Sequence, residues 1–186
     1  IREGHRFDLG ATIFLMPDLY RKVFDSLGIS FDSAIKSKHL DEIYRLYFAD
    51  GTTFRFTTDR QVMEKQLEAL EKGSYARFQE YVEKGYGFYR IAIDQLLGRN
   101  YTSLFQFITW KNISILFRIK TLTSHMRYIK RFFNHPHLRT AFTFQNIYVG
   151  QNPFTAPALF SMLPAAEISQ GSLVAEGGMF TVVASL

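Results

Sequence analysis

Residues Phe142 to Pro164 read FTFQNIYVGQNPFTAPALFSMLP, and they are the most informative stretch of this 186-residue chain. The stretch has no charged residue over 23 positions, is rich in aromatic side chains, and is interrupted by Gly150, Pro153 and Pro157. Its polar groups are amides and hydroxyls. An aromatic surface with a few such groups is typical of a pocket for a large apolar ligand. The alternative interpretation is an ordinary aromatic core.

Charge is distributed unevenly around this stretch. No Asp or Glu occurs between Gln95 and Ala166, although the chain as a whole carries a net charge of only +5. A basic segment interleaved with aromatic residues predicts contact with an anionic membrane surface, with Trp110, Arg127, Lys130 and Arg131 facing it. A solvated basic face over a core is the open alternative. No nucleic-acid-binding motif is present, so nucleic acid is disfavoured as a partner.

Periodicity and turn signals predict an α+β fold, with a small mixed or antiparallel sheet and a majority of helices. Asp50-Gly51 between two β-rich runs predicts a hairpin over about residues 43–57. A short strand is predicted over His5–Leu9. Helices are predicted over residues 17–27, 59–72, 75–97, 136–144 and 156–169, with two more within 101–133 and a last one opening at Gly177-Gly178.

A search for catalytic groups finds few candidates. The chain has no cysteine, which excludes disulfides, thiolate nucleophiles and Cys-based zinc sites. It also has no glycine-rich dinucleotide or phosphate-binding motif. His135 and His137 alone are too few ligands for zinc, so no metal is expected. No pair of carboxylates is placed for acid–base chemistry, and no catalytic residue is assigned.

Five motifs resemble those of the carotenoid desaturases, the phytoene dehydrogenase family. Residues 4–12, GHRFDLGAT, followed by Met16-Pro17, are similar to G-x-x-F-D-x-G-P-T…M-P, and residues 43–51, IYRLYFADG, to the family's hairpin. Residues 132–145 are similar to f-f-x-x-P-x-L-R-x-A-F-x-F-Q, residues 148–158 to y-x-G-x-x-P-x-x-A-P-A, and residues 177–179 to P-x-G-G-M. The motifs occur in the family's order across nearly the whole chain. Two departures are Ala11 in place of proline and Val174-Ala175-Glu176 in place of the expected Tyr-Pro.

The resemblance implies an FAD-dependent oxidoreductase of the amine-oxidase-like superfamily that removes hydrogen from a long polyene such as phytoene. Residues 1–186 would form its substrate-binding region. That region would comprise a strand and flavin-proximal turn at 1–16, the hairpin at about 43–57, a helical part at 58–170, and the start of the return to the FAD-binding domain at 177–186. The FAD-binding domain itself would lie outside this chain. The chain alone is therefore expected to bind no FAD and to be inactive.

The resemblance also assigns site residues. Asp8, Gly10, Thr12, Gly177 and Gly178 would border the flavin. The tunnel that binds the polyene would be lined by Phe142, Phe144, Tyr148, Phe154, Phe160 and Met162. The protein would be cytoplasmic and peripheral to the membrane in which such substrates dissolve. The alternatives are a carotenoid isomerase or saturase, a protoporphyrinogen oxidase-like enzyme, and a non-enzymatic lipid-binding module.

Overall fold

The computed structural model describes residues 3–4, 10, 12–97 and 99–186. It is 54% helical with 11% strand, and its strands form two small antiparallel sheets, which confirms the α+β class. The strand predicted over His5–Leu9 lies outside the described residues. The chain divides into two compact units. Unit 1 comprises Ile1–Ile43 and Gln170–Leu186, and unit 2 comprises Tyr44–Ser169.

The helices and strands of the described residues follow one another in this order. They are α1 (Pro17–Ser26), α2 (Phe31–Ala34), β1 (Ser37–His39), β2 (Glu42–Tyr47), β3 (Thr53–Thr57), α3 (Arg60–Leu70), α4 (Ser74–Ala92), a π-helical turn (Ile93–Leu97), α5 (Leu104–Phe107), α6 (Trp110–Arg118), α7 (His125–Ile129), α8 (Pro136–Ala141), a first 3-10 helix (Phe144–Val149), a second 3-10 helix (Ala158–Ser161), α9 (Met162–Gln170), β4 (Leu173–Ala175) and α10 (Phe180–Ala184).

Most predicted elements are present, with differences in the number and the extent of some of them. The hairpin forms as β2 and β3, where the Asp50 carboxylate accepts a hydrogen bond from the Thr52 amide across the turn. Residues 101–133 contain three helices, where two were predicted. The helix predicted over 156–169 begins instead as 3-10 helix and becomes α-helical at Met162. Strands β1 and β4 were not predicted, so the single small sheet is corrected to two two-stranded sheets.

Unit 1 is built around a small aromatic core. Phe14, Phe24 and Phe31 are buried, and the ring of Phe31 meets each of the other two edge-on, with centroids 5.4–5.6 Å apart. Leu173 of β4 packs in the same cluster. Backbone hydrogen bonds between Phe14 and Leu173 join the segment before α1 to β4, and β4 in turn pairs with β1. Unit 1 is therefore held together by chain segments from opposite ends of the sequence.

Phe142 is the centre of the core of unit 2. It is fully buried. The rings that surround it, with centroids 5.0–5.9 Å away, belong to Phe54, Phe56, Phe78, Tyr81 and Phe133. These rings come from the hairpin, from α4 and from the segment before α8. Edge-on, tilted and stacked contacts between rings add to the free energy gained from burial. The same core thus fixes the segment that follows Phe142.

A carboxylate fixes the turn between α3 and α4 to the segment before α8. Glu71 accepts hydrogen bonds from the backbone amides of Asn134 and His135, each at 2.8 Å, and from the Asn134 side chain. It also pairs with Arg77, whose Nε donates to the Phe132 carbonyl at 2.6 Å. These hydrogen bonds lower the pKa of Glu71 although its partial burial raises it. Charge-assisted bonds of this kind are stronger than neutral ones.

Candidate functional site

An open cavity of about 720 Å³ lies in unit 2 beside the first 3-10 helix. Its surface combines aromatic and aliphatic side chains with amides and hydroxyls, and none of the described residues that line it is charged. The described residues that line it are Met126, Thr140, Thr143, Phe144, Asn146, Ile147, Gly150, Gln151, Asn152, Pro153 and Phe154. Nine of these eleven lie between residues 142 and 164. The stretch that predicted an apolar pocket therefore forms most of one.

The loop that follows the first 3-10 helix is shaped by its own sequence. Gly150 ends the helix in the left-handed conformation, at φ +63°, which glycine adopts without strain. The Asn152 side chain then accepts a hydrogen bond from the Phe154 amide at 2.9 Å. The Pro153 carbonyl accepts from the Met126 amide at the start of α7. These bonds hold Pro153 and Phe154 at the cavity.

The six predicted substrate-lining residues have different environments. Phe144 and Phe154 line the cavity. Phe142 lies in the core, and Tyr148 is turned toward Glu167, to which its hydroxyl donates at 3.0 Å. Phe160 in the second 3-10 helix and Met162 in α9 are not among the lining residues of this cavity. The assignment of these six residues to a substrate stays a prediction.

A buried carboxyl group stabilises the first 3-10 helix from behind. Glu167 of α9 is 1% exposed. It accepts hydrogen bonds from Tyr148 and, at 3.2 Å, from Gln145 Nε2, which also donates to the Tyr44 hydroxyl. Burial raises the pKa of Glu167 to about 7, against the smaller opposing effect of these two donors. The carboxyl therefore contacts both ends of the helix that supplies Phe144 and Ile147 to the cavity.

A buried histidine lies on the other side of the same helix. His125 is fully buried, between the Tyr81 hydroxyl at 3.0 Å and the Asn146 side chain at 3.1 Å. Burial lowers the pKa of His125 to about 4, since the low-dielectric surroundings disfavour the charged imidazolium. His125 is therefore a neutral hydrogen-bonding group at neutral pH. Sequence reasoning identified neither His125 nor Glu167.

Comparison with known proteins finds relatives over nearly the whole chain. The chain is 32% identical over 184 residues to a zeta-carotene-forming phytoene desaturase from Myxococcus xanthus, and the match covers 99% of this chain and 36% of that protein. It is 31% identical over 186 residues to a phytoene desaturase from Fusarium fujikuroi, covering 99% of this chain and 33% of that protein. It is 28% identical over 185 residues to a 4,4'-diapophytoene desaturase from Staphylococcus haemolyticus, and the match covers 100% of this chain and 37% of that protein.

The chain is similar over nearly its whole length to phytoene and diapophytoene desaturases. It spans about a third of the length of the curated relatives that it matches. No protein-family profile matches it. The resemblance seen in the five motifs thus agrees with the names of the relatives.

The predicted flavin-proximal residues Gly10, Thr12, Gly177 and Gly178 belong to unit 1, and Asp8 lies outside the described residues. Gly10 and Thr12 are exposed, and a Cβ placed on Gly10 would meet no described atom within 4 Å. Gly177 and Gly178 have φ values of +85° and +87°. Gly10 precedes Phe14 by four residues, and Gly177 follows Leu173 by four residues. Phe14 and Leu173 form an antiparallel bridge.

The basic segment of the chain carries exposed aromatic and aliphatic side chains. Phe105 and Trp110 are each 88% exposed, and Leu122 is 79% exposed. Arg127, Lys130 and Arg131 are exposed as well. In the part of the chain that the structure describes, no helix is both long and apolar enough to cross a membrane.

Proposed function

We propose that the protein carrying this chain is a flavin-dependent desaturase of a long apolar polyene such as phytoene, and that this chain forms the substrate-binding region. The observation that carries the proposal is the similarity, over 99% of the chain, to a protein named as a phytoene desaturase. The aromatic cavity formed by residues 126–154 supports it, because a hydrocarbon needs an apolar surface and few polar partners.

The cavity residues would bind and orient the polyene. Phe144 and Phe154 would pack along the hydrocarbon, and Ile147 and Pro153 would complete an apolar surface that excludes water. Holding a substrate in a reactive orientation lowers the barrier without any protein nucleophile. This division of labour agrees with the absence of an assigned catalytic residue in the sequence.

The glycine turns of unit 1 are compatible with a flavin nearby. A Cβ at Gly10 would meet no described atom within 4 Å, and Gly177 and Gly178 keep a backbone conformation that other residues rarely adopt. Asp8, Gly10, Thr12, Gly177 and Gly178 would border the ring and bring backbone close to it. FAD, when bound, would supply the redox chemistry by accepting hydrogen from the substrate.

The basic segment would bring the protein to the membrane in which its substrate dissolves. Phe105, Trp110 and Leu122 would enter the headgroup region, and exposed basic residues would attract anionic lipid. Each basic residue near such a surface contributes about 1 kcal/mol of attraction.

Reversal of three charges tests this membrane contact. The triple variant Arg127→Glu, Lys130→Glu, Arg131→Glu is expected to bind vesicles rich in phosphatidylglycerol at least about 100-fold more weakly than the unaltered protein. Binding is measured by co-sedimentation at low and high salt. The control variant Lys22→Glu, Lys36→Glu, Lys38→Glu makes the same change in net charge on unit 1. Equal losses in the two variants would indicate a general charge effect and contradict the proposed surface.

The activity is tested in bacteria that accumulate phytoene. The protein that carries this chain is expected to convert phytoene into products that absorb at longer wavelengths. Phe154→Ala is expected to lower product formation about tenfold or more, since it removes apolar contact with the substrate. Tyr47→Ala on β2 is the matched control, because Tyr47 is also an exposed aromatic but does not line the cavity. A folded, flavin-loaded protein that leaves phytoene unchanged would overturn the proposal.

A further inference from the structure

The first 3-10 helix presents two rows of side chains to two different environments. A 3-10 helix has three residues per turn, so residues three apart lie on the same face. Phe144 and Ile147 form one row, and both line the cavity. Gln145 and Tyr148 form the next row, and they donate hydrogen bonds to the carboxyl group of Glu167 at 3.2 and 3.0 Å. A movement of the second row therefore also moves the two apolar side chains of the first.

The first 3-10 helix is the more movable partner in this contact. Ile147 is 63% exposed and Val149 is 45% exposed, so solvent lies along one side of the helix. Helix α9, in contrast, is buried from Met162 to Glu167. The hydrogen bonds of a 3-10 helix also have poorer geometry than those of an α-helix. When water enters to solvate Glu167, the first 3-10 helix is therefore the element that yields.

In the described part of the chain, the carboxyl group of Glu167 has no basic residue as an ion-pair partner. The titratable groups that face it are Tyr148 of the first 3-10 helix and Tyr44 of β2, and burial raises the pKa of both tyrosines above the usual value of 10. Helix α4 meets α9 at Gly85, which carries no charge. A buried carboxylate without a cation is costly, and burial accordingly raises the pKa of Glu167 to about 7. Glu167 therefore changes its charge near neutral pH.

We propose that Glu167 is a positioning residue for the polyene: its neutral carboxyl group keeps Phe144 and Ile147 in the wall of the cavity, and its ionisation releases them. The inference rests on the proposed function in that this cavity holds the polyene. The neutral carboxyl group stays between α9 and the first 3-10 helix without a counter-ion. The carboxylate draws water into this contact and displaces the row formed by Gln145 and Tyr148. The apolar wall is then less complete, and the polyene binds less tightly.

The pH dependence of substrate affinity tests the proposal. The flavin-loaded protein that carries this chain is assayed with phytoene dissolved in phosphatidylglycerol vesicles, whose charge is constant between pH 6 and 9. KM for phytoene is expected to rise about tenfold from pH 6 to pH 8, because the neutral fraction of Glu167 falls by that factor when one group titrates near pH 7. Glu167→Gln keeps a neutral side chain of nearly the same shape, and its KM is expected to stay at the low value throughout.

A matched control and kcat separate this role from a general effect. Glu64→Gln makes the same change at an exposed residue of α3 that does not line the cavity, and it is expected to keep the tenfold rise. The ratio of kcat between Glu167→Gln and the unaltered protein is expected to stay constant with pH, since Glu167 contacts the wall from behind.

Two kinds of result would overturn the inference. A KM that is constant in the unaltered protein, or that rises equally in Glu167→Gln, would contradict the role of Glu167 and leave the proposed function standing. A protein that converts no phytoene at any pH would overturn the proposed function and the inference with it.

A second variant checks the direction of the effect. Tyr148→Phe removes a hydrogen bond that favours the carboxylate, so it is expected to raise the pKa of Glu167. The midpoint of the rise in KM is then expected to move upward by about 1 pH unit, the equivalent of one hydrogen bond to a charged group. Gln145 still joins the carboxyl group to the first 3-10 helix in this variant. A midpoint that is unchanged or lower would contradict the role given to Glu167.

Discussion

Gly85→Ala is expected to lower the free energy of unfolding by about 3 kcal/mol, at the upper end of the cost of overpacking a core. Gly85 lies in α4 where this helix packs against α9 and the second 3-10 helix. A Cβ at Gly85 would lie 2.7 Å from Ala165 Cβ and 2.7 Å from the Ser161 carbonyl oxygen. The first of these atoms is a methyl carbon and the second is a backbone oxygen, so neither belongs to a flexible side chain that could move away. The helix and its neighbour would have to separate.

Gly87 provides the control within the same helix. A Cβ there would meet no described atom within 4 Å. Gly87→Ala is therefore expected to stabilise the protein by about 0.5–1 kcal/mol, because alanine favours the helix over glycine. Urea unfolding followed by circular dichroism measures both variants. If the two substitutions shift the midpoint in the same direction, the close packing at Gly85 is contradicted.

Removing the buried histidine and the buried carboxyl one at a time is expected to change the pH dependence of stability in opposite directions. The pKa of His125 is lowered from 6.5 to about 4 by burial. Between these values the unfolded state binds a proton that the folded state does not. His125 therefore makes the protein less stable as the pH falls from 6.5 to 4, by about 3 kcal/mol in total.

Glu167 acts with the opposite sign. Its pKa is raised from 4.5 to about 7 by burial. Its contribution to stability is fully present below pH 4.5 and is lost as the pH rises through 7, again by about 3 kcal/mol. The two contributions overlap between about pH 4.5 and 6.5 and nearly cancel in the unaltered protein. With only one of the two residues present, the free energy of unfolding would change clearly with pH in this range.

Two near-isosteric variants separate these slopes. The unfolding free energy of His125→Gln is expected to fall by about 3 kcal/mol between pH 4.5 and 7, because only Glu167 then contributes in that range. That of Glu167→Gln is expected to rise by at least about 3 kcal/mol between pH 4 and 6.5, because the effect of His125 is then no longer opposed by that of Glu167. Urea unfolding of the three proteins across this range is the measurement. Parallel pH profiles for all three would show that neither group titrates as its burial requires.

Local sequence predicted the elements whose signals are contained in a few neighbouring residues. The hairpin followed from Asp50-Gly51 between β-rich runs, and the start of α1 followed from Pro17. Strands β1 and β4 could not be predicted in this way. Each has only three residues, and the partners Lys38 and Val174 are brought together by the fold of unit 1.

The sequence predicted only part of the candidate site, because the local run indicates a pocket but not which of its side chains the fold buries. The uncharged run from Phe142 to Pro164 indicated an aromatic pocket, and Phe144 and Phe154 do line a cavity. The sequence did not distinguish them from Phe142, which has the same character but is enclosed by other rings. Burial depends on residues from β3, α4 and the segment before α8, and so it is not encoded in the spacing of the run itself.

The α+β class, the basic segment, the uncharged aromatic stretch and the motifs similar to those of carotenoid desaturases are all readable from the amino-acid order, because each is a property of composition or of short spacing. Which aromatic side chains face the cavity depends instead on the folded chain. Only the folded chain buries His125 and Glu167 on either side of the first 3-10 helix. Those properties arise from desolvation and from hydrogen bonds between residues far apart in the chain, and they exist only when the chain is folded.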